Sequence, residues 1–306
     1  MKIAVLGAGA MGSLYAGCLS KNNDVTVVDV NPSVVNAIQA NGIRIRERDG
    51  SVLCYKVNAV TDSSALEPVN LVIVFVKSMY TVSALENNKN LIGPDTYLMT
   101  LQNGAGHESK LLEFTNGNHI IIGSTQHNCA VIESGFVNHG GSGKTSLGLL
   151  SGNNGFVEKV VENFNLCGFE CVMSDNVQKQ IWKKMFTNTA ASSLTAIFQM
   201  PLGFIGTDSY ANALMRKLAK EAVDVANALG LGFDYEEVAN DIQAVCDNSP
   251  EGLTSIYADI RDGRKSEVDT ISGSVVDAAK NLGMNVPYHE AVVSIIHAME
   301  NIKTRG

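Results

Sequence analysis

The sequence lacks the segments that would place it in a membrane or on a nucleic acid. No apolar run approaches the roughly 20 residues that a membrane-spanning helix needs, and the run after Lys2 ends at Leu6. That run is too short for the apolar core of a signal peptide, about 7–15 residues. Lys and Arg form no cluster, and the formal net charge is −8. We therefore expect a cytoplasmic protein with no nucleic-acid or membrane partner.

Cysteine is also scarce. The six cysteines are scattered, and only Cys167 and Cys171 lie close together in the chain. No second Cys/His pair follows nearby to complete a zinc site. We expect reduced, partly buried thiols and no bound metal.

What the sequence does contain is a change of pattern near Ser174. Before it, β-branched runs alternate with helical stretches, as in a parallel sheet covered by helices. Residues 71–76 are apolar throughout, which predicts a central strand, and residues 124–149 have the short alternating runs of antiparallel strands. Beyond Ser174 the pattern is amphipathic and helical, with predicted helices 177–198, 209–229, 235–245, 267–282 and 289–302. The predicted fold is an α/β Rossmann-type domain, residues 1–174, followed by an all-α domain, residues 175–306.

A glycine-rich loop lies between the first predicted strand and the first predicted helix. Its sequence is the uninterrupted G-x-G-x-x-G of Gly7, Ala8, Gly9, Ala10, Met11 and Gly12. The glycines permit a tight turn, close approach of the backbone to a pyrophosphate, and close packing of helix on strand. The N-terminus of the helix would then face the phosphates. This context predicts a dinucleotide-binding site.

Asp29 ends the second predicted strand, 17 residues after Gly12. A carboxylate there accepts hydrogen bonds from the adenosine ribose and repels a 2′-phosphate. No Lys or Arg follows before Arg44. We expect an NAD(P)H cofactor with NADH preferred. The alternative is that Asp29 only caps the next helix, which Pro32 opens.

A second glycine-rich segment, residues 140–145, resembles a phosphate-binding P-loop only in part. The motif requires Gly at position 138, which is Asn138, and the segment leads into a predicted strand rather than a helix. A nucleoside triphosphatase is therefore not expected.

The first predicted helix of the second domain carries three polar residues at four-residue spacing, Lys184, Asn188 and Ser192. Residues four apart share one face of a helix, and apolar residues flank this stripe. A lysine in such a setting can donate a proton to a carbonyl oxygen as hydride reaches the carbon. The alternative is a solvated helix face.

Several segments together resemble the ketopantoate reductase family, over the whole chain. The spacing Lys184-x-x-x-Asn188, preceded by Trp182, resembles its signature helix. The C-terminal run, residues 255–269, is similar to the family's S-M-x-x-D-x-x-x-G-R-x-T-E-I-D. The remaining matches are Val76-Lys77-Ser78, Gln102-Asn103-Gly104, Gly273 and Pro287. The resemblance implies a helical domain of the 6-phosphogluconate-dehydrogenase-like type and an active site in the cleft between the domains.

The resemblance also implies a reaction and its residues. The reaction is hydride transfer from NAD(P)H to the C2 ketone of 2-dehydropantoate, which gives (R)-pantoate for pantothenate and coenzyme A synthesis. Lys184 would be the general acid, and Glu267 would hydrogen-bond the reacting oxygen, contact the cofactor and keep Lys184 charged. The implied substrate-binding residues are Asn188, Ser192, Ser255 and Asn103, and the implied cofactor contacts include Lys77 and Asn103. The expected partner is a small 2-keto acid, and a homodimer is a compatible assembly.

Two residues depart from the family pattern. Ser192 stands where the family commonly has an asparagine, and serine could not hold the distal hydroxyl of the substrate in the same way. Asp29 is unusual because the family typically uses NADPH. A reductase of another branched 2-keto acid is therefore an alternative, and a non-catalytic dinucleotide-sensing module is a further one. His127 and His139 have no role assigned beyond a surface or loop-stabilising one.

Two implied site residues have structural alternatives of their own. Ser266-x-x-Asp269 fits a capping box, which would make Glu267 the first residue of a helix. Ser255 could likewise be only a helix cap.

Overall fold

The computed structural model describes residues 1–152 and 155–303. By packing, the chain forms two compact units. The first unit consists of Met1–Gln102 and His107–Gln180, and the second of Asn103–Gly106 and the chain from Ile181 onward. The first is α/β and the second helical, so the predicted fold class is confirmed. The domain limits 1–174 and 175–306 stay a prediction.

The first unit contains two sheets, whose strands and helices we number in chain order. The main-sheet strands are β1 (Lys2–Leu6), β2 (Asp24–Val28), β5 (Asn58–Val60), β6 (Leu71–Val74), β7 (Tyr97–Thr100), β8 (Ile120–Thr125), β11 (Lys144–Leu149) and β12 (Glu170–Met173). The smaller sheet contains β3 (Ile43–Arg46), β4 (Val52–Tyr55), β9 (Asn128–Glu133) and β10 (Phe136–Gly141). The helices are α1 (Ala10–Leu19), α2 (Pro32–Asn41), α3 (Thr81–Asn87), α4 (His107–Leu111) and α5 (Phe156–Leu166).

The order of the main sheet creates a site for a ligand. It runs β5-β2-β1-β6-β7-β8-β11-β12, with parallel pairing from β5 to β8. The chain leaves β1 toward β2 on one side, and later strands continue from β6 on the other. Open α/β sheets bind ligands at the carboxyl ends of the strands where the order reverses in this way. The glycine-rich loop follows β1 at this point.

The antiparallel strands predicted in residues 124–149 are confirmed: β11 pairs with β8, and β10 pairs with β9. The P-loop-like segment ends in β11, as expected. Strands β3, β4 and β5 were not predicted. The two histidines of this region form a chain of hydrogen bonds, from His127 Nδ1 to His139 Nε2 at 2.9 Å and from His139 Nδ1 to Glu47 Oε2 at 2.8 Å. Burial and the neighbouring His139 lower the pKa of His127 to about 4.

The second unit is built from helices around an apolar core. They are α6 (Val177–Thr187), a π-helical turn (Asn188–Ser192), α7 (Ser193–Phe198), α8 (Leu202–Thr207), α9 (Ser209–Ala228), α10 (Tyr235–Asn248), α11 (Ser255–Arg261), α12 (Ser272–Asn281) and α13 (Pro287–Lys303). The predicted helix 267–282 is wrong at its start, because α12 begins at Ser272, and α8 and α11 were not predicted. None of the helices in the described part of the chain is long and apolar enough to cross a bilayer.

The short segment Asn103–Gly106 belongs to the second unit although the first unit surrounds it in the chain. The backbone N–H of Ala105 donates to the carbonyl of Thr270 at 3.0 Å. Gly104 has φ +100°, and a Cβ on it would overlap the same carbonyl oxygen. Only glycine therefore fits at position 104 without displacing the turn that contains Thr270.

Gly104→Ala should destabilise the second unit more than Gly106→Ala. Both glycines have positive φ, but a Cβ on Gly106 meets no described atom within 4 Å. The backbone strain of about 1–2 kcal/mol is common to both changes, and overpacking adds about 1–3 kcal/mol at Gly104 alone. Urea unfolding followed by the fluorescence of Trp182, the single tryptophan, measures the difference. Equal losses in the two variants would contradict the packing of Gly104 on Thr270.

Candidate active site

The glycine-rich loop has the backbone geometry that its sequence predicts. Gly7 has φ +96°, and a Cβ on it would lie 2.9 Å from the backbone nitrogen of Val76. A Cβ on Gly12 would overlap the carbonyl oxygen of Gly7, whereas one on Gly9 would meet no described atom within 4 Å. Gly9 is also the N-cap of α1 and supplies no side-chain acceptor. The start of α1 is therefore open and unblocked, as phosphate binding at a helix N-terminus requires.

Asp29 is hydrogen-bonded to this loop. Its Oδ2 accepts from the backbone N–H of Ala8 at 2.7 Å, and its Oδ1 accepts from the N–H of Asn31 at 2.9 Å. Asn31 is the residue that caps α2, so the alternative cap role for Asp29 is wrong. Asp29 is thus fixed at the end of β2 beside the loop.

A cavity of about 360 Å³ adjoins Asp29. Its described lining includes Gly7, Asp29, Asp62 and Asn87, but no Lys or Arg. The two carboxylates of this cavity can accept hydrogen bonds from hydroxyl groups of a ligand.

Lys77 and Gln102 occupy the ends of neighbouring strands. Lys77 follows β6, is half-buried, and begins a short 3-10 turn in which its carbonyl accepts from Tyr80 at 2.8 Å. The amide of Gln102 bonds the hydroxyls of Thr100 and Thr81 at 2.8 and 3.0 Å. Gln102 therefore fixes the end of β7 within the first unit, while the next residue, Asn103, belongs to the second.

Lys184, Asn103 and Glu267, all predicted from the sequence, come together in the second unit. The Lys184 ammonium donates to Asn103 Oδ1 at 2.9 Å. Burial lowers the pKa of Lys184 to about 8, and the Glu267 carboxylate acts in the opposite direction. A lysine with such a pKa can release and regain its proton near neutral pH, which is the property required of an acid–base group.

The polar stripe of Lys184, Asn188 and Ser192 passes through the π-helical turn Asn188–Ser192. In a regular α-helix, each four-residue step advances about 40° around the axis. The wider π-turn offsets this drift, so Ser192 stays near the face of Lys184. π-turns inside helices occur frequently at functional sites. The amide of Asn188 bonds no other side chain among the described residues and remains available to a ligand.

Ser255 is exposed at the start of α11, but it is not the cap of that helix. The cap is Thr254, whose hydroxyl accepts from Tyr257 N at 3.3 Å and bonds the Thr195 hydroxyl at 2.8 Å. Thr195 in turn donates to the carbonyl of Ser192 at 2.7 Å. Thr254 thereby fixes Ser255 relative to the π-turn. This cap was not predicted, although a threonine before a helix is a standard cap signal.

Glu267 lies in a turn rather than at the start of a helix. The carbonyl of Glu267 accepts from Ile271 N at 3.1 Å, and Gly273 N donates to Val268 O at 2.8 Å before α12 continues. The predicted capping box is therefore wrong. Its physical reason is that the Ser266 hydroxyl donates to Glu300 at 2.7 Å, while Asp269 bonds His297 instead of reaching back to Ser266.

Comparison with known protein families agrees with this arrangement. The family model described as ketopantoate reductase PanE/ApbA matches residues 3–152. The model described as its C-terminal part matches residues 176–300. The two matches together cover most of the chain and fall on the α/β and helical parts.

Individual relatives match over their full length. A 2-dehydropantoate 2-reductase of Pyrococcus horikoshii is 32% identical over 306 residues, which is 99% of this chain and 98% of the relative. The solved structure of D-mandelate dehydrogenase with NADH and anilino(oxo)acetate superposes with a TM-score of 0.93 at 28% identity, covering 99% of both chains. A ketopantoate reductase of Ralstonia eutropha superposes with a TM-score of 0.91 at 28% identity, covering 99% and 100%. The chain therefore belongs to the ketopantoate reductase PanE/ApbA family, a family of NAD(P)H-dependent oxidoreductases.

Proposed function

We propose that the protein is a 2-dehydropantoate 2-reductase, which reduces the C2 ketone of 2-dehydropantoate to (R)-pantoate with a reduced nicotinamide cofactor. The observation that carries the proposal is the partly buried Lys184, which donates to Asn103 and is acted on by Glu267. The relatives named 2-dehydropantoate 2-reductase support the choice of substrate. The proposed setting is the cytoplasm, with pantoate used for pantothenate and coenzyme A synthesis.

Lys184 is the proposed general acid. When bound, the reduced dinucleotide supplies the hydride that adds to the ketone carbon. Lys184 gives its proton to the ketone oxygen as negative charge develops there, and it regains a proton from solvent after the alcohol forms. A pKa of about 8 suits this task, because a general acid is most effective when its pKa is near the working pH.

The remaining site residues bind and orient in this proposal. Glu267 accepts a hydrogen bond from the reacting hydroxyl and contacts the cofactor, and its charge keeps Lys184 protonated before reaction. The free amide of Asn188 and the exposed hydroxyl of Ser255 bind the keto acid. Asn103 orients the Lys184 ammonium, and Lys77 binds the cofactor or the carboxylate.

Lys184→Ala should lower kcat by roughly 10²–10⁴-fold, the usual contribution of a general acid. Lys183→Ala is the matched control, because the Lys183 side chain is 65% exposed. Its Nζ makes one long surface ion pair, 3.7 Å from Asp241 Oδ2. Oxidation of the reduced cofactor by 2-dehydropantoate, followed by absorbance, measures both variants. A comparable loss of kcat in both variants, or full activity in Lys184→Ala, would reject the acid role. If the function of the protein in cells survives Lys184→Ala, a dinucleotide-sensing module is favoured instead.

NADH is the proposed cofactor within the NAD(P)H class. Asp29 and Asp62 line the cavity beside the loop, where a 2′-phosphate would meet two negative charges. The structurally similar D-mandelate dehydrogenase, solved with NADH, supports this choice by analogy.

Asp29→Asn should shift the preference toward NADPH. Asparagine keeps a side-chain oxygen for the Ala8 N–H and removes the charge. We expect the ratio of kcat/KM for NADPH to that for NADH to rise about tenfold or more, equivalent to roughly 1.4 kcal/mol. Asp29→Ala should also raise this ratio, with a larger loss of kcat/KM for NADH. Asp24→Asn, at the opposite end of β2, is the control, and an unchanged ratio in Asp29→Asn would overturn the role of Asp29.

A second candidate is reduction of a 2-keto acid without the distal hydroxyl. Two observations favour it: Ser192 stands where the family commonly has asparagine, and one of the most similar solved structures is a D-mandelate dehydrogenase. 3,3-Dimethyl-2-oxobutanoate differs from 2-dehydropantoate only by that hydroxyl, so the two keto acids isolate its contribution.

The two candidates predict opposite orders of kcat/KM. If 2-dehydropantoate is the substrate, removal of its hydroxyl should lower kcat/KM by at least about tenfold, because protein groups that bind the hydroxyl are left unpaired. Steady-state kinetics with both keto acids, in the wild type and in Ser192→Asn, gives the comparison. Preference for the dimethyl compound in the wild type, reversed in Ser192→Asn, would establish the second candidate instead.

A further inference from the structure

The turn Ser266–Thr270, which we call the Glu267 turn, is held by helix α13 at both sides of Glu267. On one side, the backbone N–H and the hydroxyl of Ser266 both donate to Glu300 Oε1, at 2.8 and 2.7 Å. On the other side, Asp269 Oδ1 bonds His297 Nε2 at 2.8 Å. Glu267, the residue proposed to act with Lys184, lies between these two contacts in the sequence.

His297 links the two contacts to each other. Its Nδ1 bonds Glu300 Oε2 at 3.0 Å, while its Nε2 faces Asp269. A carboxylate only accepts hydrogen bonds, so both ring nitrogens must donate, and only the doubly protonated imidazolium can do this. The charged groups that act most strongly on His297 are Glu300, from its own helix, and Asp269, from the turn.

The pKa values of His297 and Glu300 are both shifted in the direction that favours the charged form. Partial burial acts to lower the pKa of His297, but the hydrogen bonds with Glu300 and Asp269 outweigh it and raise the pKa. Burial acts to raise the pKa of Glu300, whose side chain is 8% exposed, but the bonds from Ser266 and His297 outweigh it and lower the pKa. The ion pair of His297 and Glu300 is therefore favoured at pH values between the lowered pKa of Glu300 and the raised pKa of His297.

The same turn is tied to the segment that carries Asn103. Thr270, its last residue, accepts from Ala105 N at 3.0 Å, and Asn103 accepts from the Lys184 ammonium at 2.9 Å. A displacement of the turn therefore changes both groups that act on Lys184, the carboxylate of Glu267 and the amide of Asn103.

We propose that His297 and Glu300 are positioning residues: the His297 imidazolium and the Glu300 carboxylate hold the Glu267 turn so that Glu267 stays beside Lys184. This inference rests on the proposed function, because the consequence of positioning is the rate of ketone reduction. The contribution of His297 is complete at pH values below its ordinary pKa and is lost as the pH rises through its raised pKa. The contribution of Glu300 is lost as the pH falls through its lowered pKa.

His297→Gln is the informative variant because glutamine can donate to one carboxylate but not to both. We expect kcat to fall about tenfold at pH 6. The defect should shrink as the pH rises, since the wild type itself then loses the His297 proton. The defect is expressed at each pH as the ratio of the wild-type kcat to the variant kcat. Glu300→Gln, which keeps an acceptor for Ser266, should show a smaller defect, and Glu290→Gln on the exposed face of α13 none.

A defect of equal size at every pH, or no defect at pH 6, would overturn the proposal. Amide hydrogen exchange of residues 266–270 gives a readout that needs no substrate. We expect these amides to exchange faster in His297→Gln and Glu300→Gln than in the wild type at pH 6, and strands β1 and β6 to exchange unchanged. Unchanged exchange in the turn would also overturn the proposal. If the wild type reduces no keto acid, the proposed function fails, and faster exchange in the turn would still establish that His297 and Glu300 position it.

Discussion

The partly buried charge of Lys184 links three separate segments of the second unit. An ammonium group removed from water is stable only when hydrogen-bond acceptors and opposite charge replace its hydration. Here the acceptor is Asn103 and the opposite charge is Glu267. The two groups come from segments far apart in the sequence. The loop around Gly104, the Glu267 turn and α6 must therefore be fixed relative to one another before Lys184 can have its unusual pKa.

The first unit differs, because its glycine-rich loop presents backbone rather than side chains to a ligand. Gly7 and Gly12 approach each other too closely for a Cβ, and Gly9 leaves the start of α1 open. Asp29 adds a charged contact to the loop, because its carboxylate accepts from the backbone N–H of Ala8. Binding in the first unit thus depends on shape and on the absence of side chains, whereas the proposed proton transfer depends on charges held at defined positions.

This difference explains what the sequence could and could not predict. The glycine-rich loop was predictable because its conformation is local, and Asp29 because it follows a strand at fixed spacing. Lys184 and Glu267 were assigned by resemblance, and that they lie near each other became visible only in the structure. Glu300 and His297 were missed because their partners in the turn, Ser266 and Asp269, are distant in sequence. Thr254 carries a local cap signal, but its contact with Thr195 is distant in sequence and was not predictable. The predicted start of α12 was wrong because of another distant contact. The Ser266 hydroxyl, which local sequence predicts as a helix cap, donates to Glu300 in α13 instead.

The membership of residues 103–106 in the second unit limits how modular the protein is. A cut near Ser174 yields a helical fragment that contains Lys184 and Glu267 but not Asn103 or the N–H of Ala105 that meets Thr270. In such a fragment the Lys184 ammonium would lack its amide acceptor. A chimera that joins this helical unit to a foreign dinucleotide-binding unit must therefore also carry the four residues of that loop. Joining the two halves at a single point therefore removes the acceptor of one lysine.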